Sequence, residues 1–164
     1  MQYKKHTEPF VELLCGISNS GKSTYVRTQY SEGFEGLILS RDDLVMKYGY
    51  GYSYNECWKS LTPELHQIID YKLDEQFIEA LSSRSNIIID MVNLTKRKRA
   101  HWLKKIPNGY LRRIIVFHTP LNIIKERNIL QRNEKYIPDN TLVSMHNRFQ
   151  YPNLDECDEI IRMD

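Results

Sequence analysis

The octet Gly16-Ile17-Ser18-Asn19-Ser20-Gly21-Lys22-Ser23 meets the spacing G-x-x-x-x-G-K-[ST] at every fixed position. Each fixed residue answers a need of binding a chain of phosphates. Glycines at 16 and 21 let the backbone curl until consecutive N–H groups converge on one anion. Lys22, read as an exposed loop side chain, can reach β- and γ-phosphate oxygens, and the Ser23 hydroxyl suits Mg²⁺. Ser18, Asn19, Ser20 and Thr24 complete the residues expected against a nucleotide such as ATP. The apolar run Val11–Cys15 leads into the loop, and a helical pattern from Gly21 to about Tyr30 leads out of it. That context adds the positive end of a helix to the same anion site.

Moving a phosphoryl group requires a metal, a group to orient or deprotonate the acceptor, and cations for the phosphate charge. Asp42 and Asp43 follow a second apolar run, Gly36–Leu39, and Asp90 ends the run Asn86-Ile87-Ile88-Ile89 in the manner of a Walker B strand. One of these acids can take the acceptor's proton and another can hold the hydration shell of Mg²⁺. The plainer alternatives are a helix N-cap for Asp42 or Asp43 and an ordinary strand-ending turn for Asp90. Arg127, Arg132 and Lys135 lie on a helix and loop ending in Tyr136-Ile137-Pro138. A lid there would bring cations onto the γ-phosphate and exclude water. The stretch Tyr48-Gly49-Tyr50-Gly51-Tyr52-Ser53-Tyr54, with Trp58 nearby, reads either as a platform for stacked bases or as a surface loop tied down by its rings.

The elements that must place these residues follow from the apolar patterning. The 164 residues suffice for one domain, here 1–164 as a single unit, and its 41% hydrophobic and 27% charged content is that of a soluble globular chain. No apolar run approaches the ~20 residues of a membrane span, and MQYKKHTEPF lacks a signal-peptide stretch. Cys15, Cys57 and Cys157 are odd in number and widely spaced, so the reading is a cytoplasmic protein without a disulfide framework. Strands are expected at Val11–Cys15, Gly36–Leu39, Ile87–Ile89, Ile114–Phe117 and Glu159–Met163. Helices are expected from Gly21, from Leu44 to Tyr48, from Pro63 behind the cap Thr62, from Thr95 to Leu103, from Pro120 to about Arg132, and from Asp139 to about Phe149. Alternation of strand and helix implies an α/β fold, a mainly parallel sheet with helices on both faces, plus a helical lid, and it puts ligands at the carboxyl ends of the strands. The net charge of +2 hides an asymmetry: residues 96 to 135 hold twelve Lys or Arg against Glu126 and Glu134. The densest run, Lys96–Arg99, reads as solvated helix face or as a surface for phosphate-rich ligands.

Taken together, GISNSGKST, SRDD, IIIDMVNLTKRKRAHW, TPLNIIKERN and NEKYIP resemble the 5′-polynucleotide kinase family of P-loop kinases, phage members in particular, over nearly the whole chain. The resemblance implies a three-layer P-loop kinase domain that transfers the γ-phosphate of ATP, with Mg²⁺, to a 5′-hydroxyl of a nucleic acid. It implies Asp42 as general base, Lys22 and Ser23 on phosphates and metal, Arg132 as lid arginine with Arg127 assisting, and an acid near Asp90 at the metal or substrate. Asp43, Lys47, Asn93 and Arg97 join Asp42 and Asp90 on the acceptor side. Phage members carry an arginine three residues after the base, where this chain has Val45; Lys47 is the nearest substitute. No D-x-D-G-T phosphatase signature follows, so the expectation is a kinase alone. The alternatives are a kinase of a nucleoside, a nucleotide or a hydroxymethylated base in DNA and, from another class, a nucleotide-binding switch or assembly ATPase. A switch needs no acceptor base, so Asp42 weighs against it.

Overall fold

A computed structural model describes residues 8–30, 33–131 and 134–163. Five strands form one wholly parallel sheet: β1 (Phe10–Cys15), β2 (Gly36–Ser40), β3 (Asn86–Asp90), β4 (Leu111–Phe117) and β5 (Glu159–Met163), in the spatial order β2-β3-β1-β4-β5. The chain leaves β1 for one side of the sheet and later returns to the other. The carboxyl end of β1 is therefore the switch point, where such sheets hold ligands. Because all strands run the same way, the residues after β1, β2, β3 and β4 gather along one edge.

Alternation along the strands serves two cores. Val11, Leu13, Ile87, Ile89, Ile114 and Val116 pack against Ile69, Leu73 and Phe77 of α4 (Pro63–Ser82) and Trp102 of α5 (Lys96–Leu103). Leu14, Ile88, Ile115 and Phe117 face the other way, onto Tyr25 and Val26 of α1 (Lys22–Gln29). A third cluster roofs the carboxyl edge: Ile17 and Leu94 meet Ile124 of α6 (Leu121–Leu130), Ile137, and Leu142 of α7 (Asp139–Arg148). The three layers and the helical lid are those expected, and no helix among the described residues is long and apolar enough to cross a membrane.

Three departures have physical reasons. β4 begins at Leu111, not Ile114, because Arg113 lies in the sheet in register with Glu12 and Glu159. Its Nη1 donates to Glu12 Oε1 at 2.6 Å and its Nε to Glu159 Oε2 at 2.9 Å. A buried cation is tolerated there because it is paired and hydrogen-bonded on both sides. Secondly, α2 (Arg41–Tyr48) starts at Arg41, not Leu44. Ser40 is its N-cap and accepts from the Asp43 N–H at 3.3 Å. Asp42 and Asp43 are thus first-turn residues, not caps. Thirdly, α3 (Tyr54–Lys59) was not anticipated behind the Gly/Tyr run. A capping box starts it: Ser53 Oγ accepts from the Glu56 N–H, and Glu56 Oε2 accepts from the Ser53 N–H.

Candidate functional site

The phosphate loop sits where β1 meets α1. Asn19 at φ 64° and Gly21 at φ 108° take left-handed conformations that turn successive peptide N–H groups inward. Gly16 is needed for space: a Cβ there would lie 2.7 Å from Ser20 Oγ and 2.8 Å from Phe117 O. No side chain caps α1 and its first turn holds no acid, so its leading N–H groups stay open to an anion. Ser23 and Thr24 are exposed in that first turn. Ser18 is buried, with Oγ 3.7 Å from Met145 Sδ of α7, and Ser20 Oγ is buried without a hydrogen-bond partner among the described residues.

Lys22 departs from expectation. It is buried, not exposed, because the loop wraps around it: its Nζ donates to Gly16 O at 2.8 Å and Ile17 O at 2.7 Å. Burial pulls its pKa down to about 8, against the opposing pull of the Asp90 charge. Asp90 is pushed up, first by burial, while Lys22 draws it down and Asp42 pushes it further up. Lys22, Asp90, Asp42, Asp43 and Lys135 therefore share one electrostatic field across the loop.

The segment after Asp90 is pinned from below. Arg99 is fully buried: its Nη1 donates to the carbonyls of Asn93 and Leu94, both at 3.1 Å, and its Nε to Glu156 Oε1 at 2.8 Å. Asn93, at φ 45°, gives its side-chain N–H to Leu14 O at 2.8 Å and Met91 O at 3.3 Å. The Gly16 N–H donates to Val92 O at 3.0 Å. Asn93, expected on the acceptor side, also ties the β3 end to β1 through these backbone bonds. Glu156 had no motif to announce it.

On the facing side, Asp42 is held from two other elements. Lys135 Nζ donates to Asp42 Oδ2 at 2.7 Å and the Tyr54 hydroxyl to Oδ1 at 3.3 Å. Arg127 Nη1 donates to Asn19 O at 3.1 Å, tying α6 to the phosphate loop. The fully buried Asn128, missed in the sequence, strengthens that tie. Its Nδ2 donates to Ile137 O at 2.6 Å, and its Oδ1 accepts from the Ile137 N–H at 3.0 Å and Asn19 Nδ2 at 3.2 Å. Arg132 lies outside the described residues.

One groove is lined by Ser18–Thr24, Asp42, Asp43, Tyr54, Asp90, Asn93, Arg127, Lys135 and the solvent side of α5, Arg97 included. Lys47 is not among its walls; it is exposed, with Nζ 5.5 Å from the Tyr48 ring centroid. Val45 is fully buried in the main core. The run Lys96–Arg99 splits by role. Lys96 pairs with Asp155 at 2.6 Å, Arg99 is internal, and Arg97 and Lys98 have no ion-pair partner among the described residues.

A family model described as an AAA domain matches residues 11–152. No curated protein matches the chain. A chain in the structure of the Pnkp1/Rnl/Hen1 RNA repair complex is similar at 23% identity and TM-score 0.73, over 92% of this chain and 47% of that one. The chain thus spans about half the length of that relative. A sugar kinase from a Janibacter species matches at 20% identity and TM-score 0.65, covering 95% of this chain and 85% of its own. Kti12 from Chaetomium thermophilum, in complex with ADP-AlF3, matches at 14% identity and TM-score 0.62, over 93% and 88%. At these identities the likeness is one of fold.

Proposed function

Because the chain belongs to the AAA domain family and has the fold of P-loop kinases, we propose that it transfers the γ-phosphate of ATP to a hydroxyl of a nucleic acid, the 5′-hydroxyl of a polynucleotide. The observation that carries this reading is Asp42. Its carboxylate lines the same groove as Lys22, at the carboxyl edge of the sheet, with a lid lysine on it. A switch or assembly ATPase has no use for such a group. The fold likeness to a chain of an RNA repair complex, and the exposed cations Arg97 and Lys98 along the groove, support a polymeric acceptor.

In this reading the loop N–H groups and Lys22 hold the phosphates. Ser23 and Asp90 offer the oxygen donors that suit Mg²⁺, which when bound neutralises phosphate charge. The acceptor O–H gives its proton to Asp42 as its oxygen bonds to the γ-phosphorus, and the bond from the γ-phosphorus to the β–γ bridging oxygen breaks, releasing ADP. Arg127 and Lys135 supply cations from the lid side, with Arg132 proposed beside them.

A second reading, a small hydroxyl acceptor such as a nucleoside, nucleotide or sugar, draws on two observations. Val45 is buried where the resemblance expects a phosphate-binding arginine, and the Janibacter sugar kinase is covered over 85% of its chain. Thin-layer separation after incubation with γ-labelled ATP and candidate acceptors tests both. Label on a 5′-hydroxyl oligonucleotide supports the first reading, label on a small molecule the second, and label only in free phosphate overturns both.

A further inference from the structure

We propose that Tyr54 is a positioning residue for the proton transfer, its hydroxyl holding the Asp42 carboxylate in the orientation that meets the acceptor; this rests on the reading of Asp42 as base. Asp42 sits in the first turn of α2 with its side chain 41% exposed. The side-chain groups that bond its carboxylate come from other elements: Tyr54 from the first residue of α3, and Lys135 from the segment before α7. The three groups form a closed triangle, because the Lys135 ammonium also stands 4.5 Å from the Tyr54 ring centroid.

The two partners differ in what else they can do. Lys135 is a cation beside the phosphate loop, so a triphosphate competes with Asp42 for it. A neutral phenol meets no such competition. Its backbone is set by the capping box at Ser53, and its ring packs with the roof cluster of Ile17 and Leu94 and lies 6.1 Å from the Trp58 ring. Burial, and then the charge of Asp42, push the Tyr54 hydroxyl well above its ordinary range, so it stays a donor at any working pH. With Oδ1 fixed by Tyr54, release of Lys135 leaves Oδ2 as the oxygen that receives the acceptor's proton. Tyr54 keeps its own proton throughout. Lys22, Asp90 and Lys135 are other charged groups that act on this carboxylate.

The test is Tyr54→Phe, which keeps the ring and its packing, assayed with ATP and a 5′-hydroxyl oligonucleotide. Losing a hydrogen bond to a charged base should lower kcat about tenfold. The KM for ATP and the melting temperature should stay at wild-type values. In an Asp42→Asn background the same change should cost nothing more, because its effect runs through the carboxylate. Equal losses in both backgrounds would overturn the proposal, as would an unchanged kcat in Tyr54→Phe where Asp42→Asn alone is crippled. If wild type labels no oligonucleotide, or if Asp42→Asn retains full rate, the reading beneath falls and takes the proposal with it. Those outcomes are distinct from a failure of Tyr54 alone.

Discussion

The two walls of the groove are built by opposite means. The phosphate wall is backbone and buried polar groups: Gly16, the left-handed Asn19 and Gly21, the internal Lys22, and a segment after Asp90 pinned by Arg99 and Asn93. The facing wall is surface side chains: the half-buried Asp42, Tyr54 and Lys135, and the exposed Arg97 and Lys98. A wall made of peptide groups needs particular φ and ψ angles, which only certain residues permit. A wall made of exposed side chains changes with any surface substitution. The first suits a ligand shared by many proteins, the second an acceptor that differs among them.

Breaking the phosphate wall should have the largest effect. Lys22→Met keeps the buried stem and removes the charge; we expect transfer to fall below detection in the labelled-ATP assay, with an unchanged circular dichroism spectrum. It should also change the response to pH. With a native pKa near 8 against 10.5 for the free side chain, the unfolded state binds more protons between those values, so wild-type stability rises with pH across that window. In Lys22→Met this rise should be absent from denaturant midpoints.

On the facing wall, Asp42→Asn keeps the shape and cannot take a proton. A kcat loss of ~10²–10⁴-fold is expected, with nucleotide affinity held, while Asp43→Asn stays near wild type. The reverse pattern in steady-state kinetics would move the base to Asp43.

The next contrast lies beneath the phosphate wall. Arg99→Met leaves Glu156 buried and unpaired, so urea unfolding should show a loss of about 3–5 kcal/mol. Arg99→Met with Glu156→Gln should recover part of it. The same pair of changes made at the exposed Lys96–Asp155 bridge should cost no more than ~1 kcal/mol.

The smallest effect is the one that sharpens the comparison most. Replacing Arg97 and Lys98 with Ala should flatten the salt dependence of oligonucleotide KM by about 0.7 log units per lost phosphate contact for each tenfold rise in salt. KM for ATP should not move. An unchanged slope would confine acceptor recognition to the neighbourhood of Asp42.

What could be read from the chain divides along the same line. The loop, the succession of apolar runs along the chain and the carboxylates at their ends were legible because each imposes a residue type at a recognisable spacing. The partners of those residues were not. Asn128, Glu156, Tyr54 and Arg113 act across 9 to 101 positions of sequence, through contacts that only the folded sheet brings about. Helical geometry divides the basic run, sending Arg99 inward and leaving Arg97 and Lys98 outside. Lys22 looked exposed because loops usually are, and the wrap of its own loop hid it.

Val45 carries a consequence for how acceptor preference could change over time. It is fully buried, sharing a core cluster with Leu44, Cys57 and Ile69. An arginine introduced there would put an unpaired guanidinium in hydrocarbon, at a cost larger than most single contacts return. No one-codon route therefore leads from this chain to an enzyme that clamps its acceptor from that position. Lineages that need the clamp must draw it from side chains that already line the groove, or turn the whole of α2 about its axis.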